Sequence, residues 1–359
     1  MSSSASFASA ASDPPYKTGG QEVPINSHVD RRKLLKLGAA AAGGVLATPF
    51  ISKFASAQGG LAGKTIGFSQ SYVTTNWIKA QREGVIQTAK KYGLETIVTD
   101  ANHQPTKQIT DLEDLVTRRV DAIILSTYYS EAISPAVRHV NEAGIPLIVL
   151  SSALQPGVDY TVHLGTDTLA TAKDAGDYYV KKLNGKGKVI QILGSPGSTV
   201  NQHRGEGWHS VIDKVPEIEV IGQVQADYDR AKALRGMEDM LQAHGHIDAV
   251  YTHSEDMAMG ALQAVKEAGR LDEMFITGYD GVSPEILQDI MEGEIEGVWY
   301  YAPFGTEGVD AAAAVLRGEA VKKDYKFPSP FISKANVLDY YDPDTGKAKV
   351  ASSRFQPGG

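Results

Sequence analysis

From residue 64 onward, short apolar runs alternate with amphipathic stretches, and this alternation limits the fold more than any other feature of the chain. Residues 65–69, 95–99, 122–126 and 146–150 read as buried strands. Between them, 77–92, 105–117 and 132–143 carry apolar residues at helical spacing. Gly93 and Gly144 stand just past two of these helices, where a left-handed stop is favoured. Strand and helix alternating at this spacing predict βαβ units and a parallel sheet. The rhythm restarts after Gly165, with strands over 188–193, 219–224, 249–252 and 275–278. Helices are predicted over 170–183, 205–215, 230–243 and 257–268. Two successive sets of βα units predict two similar α/β lobes, and no fixed repeat points to a solenoid. After Tyr341 the turn-rich Asp-Pro-Asp-Thr-Gly predicts an edge hairpin followed by loose residues.

Ahead of this region, Asp30-Arg31-Arg32-Lys33-Leu34-Leu35-Lys36 precedes an apolar run over 37–51 and then Ala55-Ser56-Ala57. A charged region, a short apolar run and a small-x-small site are the three parts of an export signal. The run is shorter and richer in Ala and Gly than the roughly 20 apolar residues that span a bilayer. The adjacent arginines resemble the twin-arginine signal, in which Ser or Thr usually precedes the pair and Phe is common where Leu34 stands. A signal peptide over 1–57, cleaved near Ala57, is therefore expected, and the Ser/Ala/Pro/Gly-rich residues 1–29 have the composition of a disordered lead-in. Removing 1–57 takes six of the 35 Lys/Arg and three of the 43 Asp/Glu, leaving 29 basic against 40 acidic residues, a net charge of −11. That sign argues against nucleic acid or an anionic membrane surface as a partner. The chain has no cysteine, which excludes disulfides, thiolate metal sites, a Cys nucleophile and a lipid-modified N-terminal Cys. Without such an anchor, an outer membrane is the simplest means of retention, and the periplasm is the expected location.

In open parallel sheets ligands bind beyond the carboxyl ends of the strands, so the residues just after each strand deserve inspection. These are 70–77 after the first strand, Ser151-Ser152 after the fourth, 195–204, Ser254-Glu255-Asp256, and Tyr279-Asp280-Gly281. Hydroxyls, amides, single charges and aromatics suit a small, hydroxylated, roughly neutral ligand. Rings cover C–H faces while polar forks take hydroxyl pairs. Each candidate has a structural alternative. Trp77 could anchor a core, Arg204 could lie on the surface, and Asp280 could cap the helix that Ser283-Pro284 introduces, a cap Ser283 serves equally well. Tyr228 and Tyr301 could fill cores or edges. No nucleophile elbow, P-loop or metalloprotease motif occurs, and Gly194-Ser-Pro-Gly197 lacks the lysine of a phosphate cradle. His244, His246 and His253 cluster in sequence, but a predicted strand separates the last from the others, so they read as surface and loop histidines. No cofactor, metal or catalytic activity is expected.

Five motifs carry a family resemblance: Arg204-Gly-Glu-Gly-Trp208, Ala226-Asp-Tyr-Asp-Arg230, Glu255-Asp-Met-Ala-Met-Gly260, Gly278-Tyr-Asp-Gly281 and Ala143-Gly-Ile-Pro146. In this order and spacing the chain resembles, over about 65–339, the type I periplasmic solute-binding proteins of ABC importers, in the branch of the ribose-binding proteins. The resemblance implies two Rossmann-like lobes with parallel sheets joined by a three-crossover hinge. It places the first lobe at 62–166 and 302–330, the second at 167–301 and 331–345, and a flexible tail at 346–359. It also implies a monomeric receptor that binds a sugar or polyol between the lobes and presents it to membrane permease subunits, without inserting into the bilayer itself.

Carried onto this chain, Trp77 matches the family's stacking aromatic, with Thr75 and Asn76 beside it as polar contacts. Arg204 and Asp280 match the charged residues that grip hydroxyls, Tyr228 an aromatic position, and Tyr301 a hinge-side polar contact. Ser254 stands where Asn is usual. Ser151-Ser152 depart from the pattern, since ribose- and galactose-type members place a charged pair such as Asp-Arg there. Two small hydroxyls leave more room and remove charged hydrogen bonds worth about 1.5–3 kcal/mol each. A bulkier sugar, a deoxy sugar, a polyol or a less hydroxylated solute is expected in place of ribose. Trp77→Ala or Asp280→Ala is expected to weaken binding and spare the fold. Other readings of the core are a periplasmic sensor serving a chemoreceptor or histidine kinase, and a lac-repressor-type regulator. The latter would need a DNA-binding helix-turn-helix where the signal stands.

Overall fold

The computed structural model describes residues 60–349 and 353–358. The export signal expected at 1–57, with its Arg31-Arg32 pair, lies outside the described residues. The predicted alternation of strand and helix is present. β1 (Thr65–Gln70), α1 (Asn76–Tyr92), β2 (Glu95–Asp100), α2 (Pro105–Thr117), β3 (Ala122–Ser126), α3 (Ser134–Glu142), β4 (Leu147–Leu150) and β5 (Val162–Thr166) build the first sheet and its helices. Gly93 closes α1 at φ 69°, a left-handed turn that donates back to the Ala89 and Lys90 carbonyls.

The second run comprises α4 (Thr168–Lys182), β6 (Gly187–Leu193), α5 (Thr199–Ile212), β7 (Ile218–Gln225), α6 (Arg230–Ala243), β8 (Ala249–Thr252), α7 (Glu255–Glu267), β9 (Phe275–Asp280), α8 (Pro284–Glu292) and β10 (Gly297–Tyr300). α9 (Gly305–Leu316), β11 (Asp324–Phe327), β12 (Phe331–Ser333) and the hairpin β13 (Tyr341–Asp342) with β14 (Lys347–Ala348) complete it.

The first sheet runs β11-β5-β4-β3-β1-β2 and is parallel throughout. The second runs β12-β10-β9-β8-β6-β7, parallel except for the antiparallel edge strand β12. Period-2 alternation splits each sheet between two cores. In the first, Phe68, Ile124 and Ile148 face one cluster while Ile123, Leu125 and Val149 face another. In the second, Ile190, Val250 and Ile276 face an aliphatic cluster with Met257 and Leu287, and Tyr251, Tyr279 and Trp299 face an aromatic one with Trp208.

The chain passes between the sheets after β5, after β10 and between β11 and β12, which gives three crossovers. The loose tail expected at 346–359 is corrected in part. Lys347 and Ala348 pair in the hairpin, and Phe355 is buried with its ring 4.8 Å from Tyr325 on β11. Arg354 beside it sits over the rings of Phe327 and Tyr300, at 5.4 and 5.7 Å, where two crossovers begin.

Candidate functional site

The ends of both sheets meet around a narrow polar cavity of about 20 Å³. From the first sheet Tyr72, Thr75 and Trp77 follow β1, Tyr128 follows β3 and Ser151 follows β4. From the second, Val200 and Arg204 come from α5, Tyr228 from the turn after β7, Ser254 and Asp256 from the start of α7, Asp280 from the end of β9, and Tyr301 from the end of β10. Ser151, Tyr228 and Asp280 hold left-handed backbone, at φ 68°, 65° and 91°. Side chains rarely adopt that region, and strain of this kind collects where a site fixes its groups.

Helix caps position several of these residues. The Thr75 hydroxyl accepts from the Ile78 N–H, Ser254 from Met257 and Ser283 from Ile286. Because Ser283 caps α8, Asp280 is left to accept from Arg204 at 3.3 Å and from the Glu255 N–H at 3.4 Å. Arg204 is buried, so the surface reading of this residue does not hold. It lies inside α5, which begins six residues before the predicted 205, and not in the preceding loop. Its guanidinium also donates to the His253 carbonyl and lies 4.0 Å from the Tyr279 ring centre and 4.9 Å from that of Tyr301. Trp77 is both core and cavity wall: it belongs to the first sheet's core, and its indole donates to the Tyr301 carbonyl at 2.8 Å.

Eight of the ten expected residues line the cavity, and two do not. The Asn76 backbone and side-chain amides both donate to Asp256, at 3.1 and 3.3 Å, which joins the two lobes across the cleft. The left-handed turn at Ser151 carries Ser152 away from the cavity, with its hydroxyl buried and unpartnered. The room expected over the two serines is filled, since the Tyr301 hydroxyl meets the Ser151 hydroxyl at 3.0 Å. His253 stands in the turn between β8 and α7, as a loop histidine, but it is fully buried and not on the surface. Its ring contacts Asn201 at 2.7 Å and Gln191 at 3.2 Å, and burial holds it neutral.

Three carboxyl groups lie close together, and one of them, Asp280, pairs with Arg204. Burial raises the Asp280 pKa against the opposing pull of Arg204. Burial, then the Asp280 and Asp256 charges, push Glu255 well up, and it accepts from the Val282 and Ser283 N–H groups. Burial raises Asp256 to about 6, against the Asn76 hydrogen bond that favours its charged form. For Arg204, burial opposes the charge, while Asp280 and the surrounding tyrosines hold its pKa above the usual value. One wall thus offers a fixed array of donors and acceptors, and Trp77, Tyr72 and Tyr128 offer ring faces opposite. This is the surface a polyhydroxylated molecule with apolar C–H faces requires.

A model of the periplasmic binding protein domain matches residues 66–320. The chain belongs to the periplasmic binding protein family. It is 32% identical over 266 residues to the ribose import binding protein of Bacillus subtilis strain 168, covering 74% of this chain and 85% of that one. It is 31% identical over 271 residues to the xylitol-binding protein of Mycolicibacterium smegmatis, covering 74% and 76%. An ABC transporter solute binding protein from Bacillus halodurans C-125, solved with bound myo-inositol, superimposes with a TM-score of 0.73 at 28% identity, covering 78% of this chain and 97% of that one.

Sequence reasoning left Tyr128, Tyr72, Val200 and Asp256 unassigned in the cavity. The strand-end rule reaches Tyr128 once the segment after β3 is inspected like the others. Tyr72, Val200 and Asp256 lay in inspected segments, where nothing in the spacing set them apart.

Proposed function

We propose that this protein is the exported solute receptor of an ABC importer, binding a monosaccharide or polyol in the cavity and handing it to the permease subunits. The observation that carries this reading is the cavity itself: a buried Arg204–Asp280 pair and Trp77 line one narrow polar space between the ends of the two sheets. Relatives named for ribose and xylitol, and one holding myo-inositol, support a hydroxylated neutral solute over a charged one. Thr75, Trp77, Ser151, Arg204, Tyr228, Ser254, Asp280 and Tyr301 contact the ligand, while Asn76 acts by tying the lobes together. The lobes comprise 62–166 with 302–330 and 167–301 with 331–345. The protein works as a monomer without catalysis, after export through the signal at 1–57 by the twin-arginine route.

Binding energy favours the closed arrangement, and closure presents both lobe tips to the permease. Among the described residues no helix is long and apolar enough to cross a membrane, in keeping with a receptor that meets its permease from outside the bilayer. Thermal-shift screening of the purified protein against sugars and polyols tests the reading. A ligand at a hundredfold excess over Kd adds about 2.7 kcal/mol of stability, a rise that is readily measured. Shifts from amino acids or other charged solutes alone would refute it.

A further inference from the structure

The ligand cavity and the cleft mouth are separate spaces, and Tyr128 lines both. On its inner side is the narrow cavity described above. On its outer side is a wider, open space of about 440 Å³ lined by Tyr129, Ser130 and Glu131 from the first lobe and by Pro196, Gly197 and Gln202 from the second. The Tyr128 ring lies 5.4 Å from that of Tyr228, which arrives from the opposite lobe, and 5.6 Å from that of Tyr72. Both halves of the partition are held in place. The Tyr128 N–H donates to the Ser71 hydroxyl at 3.0 Å, and the next residue's N–H donates to Thr127, which is itself bonded to Gln108. Tyr228 lies flat on Gly194, where a Cβ would come within 2.2 Å of the ring, so glycine is what admits the tyrosine there.

We propose that the Tyr128–Tyr228 ring pair is the size-determining element of the site. It limits the ligand to one sugar ring, or a polyol of similar size, by closing the cavity off from the mouth. The proposal rests on the sugar-receptor reading and deepens it. Arg204, Asp280 and Trp77 line the inner cavity and none of them lines the outer space. Removing one ring therefore joins two existing spaces.

The test is a thermal-shift and calorimetric comparison of wild type, Tyr128→Ala, Tyr128→Phe and Tyr228→Ala. One panel holds monosaccharides and polyols (ribose, galactose, fructose, xylitol, myo-inositol), and the other holds the disaccharides maltose, lactose and cellobiose. Circular dichroism checks the fold of each variant, and Tyr228→Ala opens the same partition from the other lobe if Tyr128→Ala fails to fold. Wild type should respond to the first panel alone, and Tyr128→Phe, which keeps the ring, should likewise refuse every disaccharide. Tyr128→Ala should gain a disaccharide response while its affinity for the best monosaccharide falls by roughly tenfold or less, the worth of one aromatic contact. Disaccharide binding by wild type would overturn the proposal. So would folded alanine variants that bind the monosaccharide and still refuse every disaccharide. If wild type responds to neither panel, the receptor reading itself falls and takes this inference with it.

Discussion

The first lobe brings to the cavity Tyr72, Trp77, Tyr128 and two hydroxyl side chains, all uncharged, whereas the second brings Arg204, Asp256 and Asp280. The layers beneath differ in the same sense. Under the first lobe's wall the core is apolar, mixing Ile124, Leu150 and Leu164 with Phe68, Phe304 and Phe327. Under the second, Trp208 stacks on Tyr251 at 4.8 Å, the Tyr251 hydroxyl donates to the Arg204 carbonyl at 3.0 Å and meets the Tyr279 hydroxyl at 2.7 Å. Two lobes with corresponding strand orders therefore do unequal work. The charged lobe is a preorganised anchor that has already met the desolvation penalty of its ions, and the neutral lobe is a hydroxyl-and-ring cover.

The most severe way to break this asymmetry is to remove one charge from the anchor. Arg204→Met should destabilise the fold by about 3–5 kcal/mol, because it leaves Asp280 buried without its partner. Urea denaturation reads this directly, and an unchanged midpoint would show that the pair is not held as described. The same reasoning revises the expectation that Asp280→Ala would spare the fold, since Arg204 would then be the orphan.

A smaller test uses pH. Asp256 titrates at about 6 in the fold against an ordinary 3.8, because burial disfavours its charge. The folded state thus holds this proton more tightly than the unfolded state. Its burial carries no penalty below about pH 4, and the penalty grows as pH rises to about 6 and is full above that. Asp256→Asn keeps an acceptor for the Asn76 N–H and abolishes the titration. The variant should gain on wild type by up to roughly 3 kcal/mol between pH 4 and pH 7, at 1.36 kcal/mol per pKa unit. A difference independent of pH would mean that Asp256 is not confined between the lobes.

On the neutral side the effects shrink. Ser151→Ala removes a hydroxyl paired with Tyr301 at 3.0 Å and should cost about 0.5–1.5 kcal/mol. A larger loss, measured in the same urea titration, would make the two lobes more alike than their charges indicate.

The βα rhythm was legible because most strands are short apolar runs bounded by amphipathic helices, and 105–117 and 230–243 coincide with α2 and α6. What escaped has physical causes. α9 is buried on most of its surface and is alanine-rich, so it has no polar face to create a period. β5, β11 and β12 are short and mix polar with apolar residues, as edge or near-edge strands do. The start of α5 was hidden by Asn, Gln and His in its first turns, which read as loop and left Arg204 outside the helix. Within the site, matched motifs pointed to Arg204 and Asp280, and the place just after the first strand pointed to Trp77. The direction of Ser152 depends on one left-handed residue before it, which no local pattern marks.

The sequence contains three tryptophans. Trp208 and Trp299 belong to the second lobe's aromatic core, while Trp77 lines the cavity with its indole N–H on the Tyr301 carbonyl. The protein therefore carries an intrinsic optical gauge: two emitters sealed from events in the cleft serve as a constant background, and one sits where a solute arrives. Emission that changes on filling the cavity should vanish in Trp77→Phe, so occupancy can be followed in real time without attaching a dye.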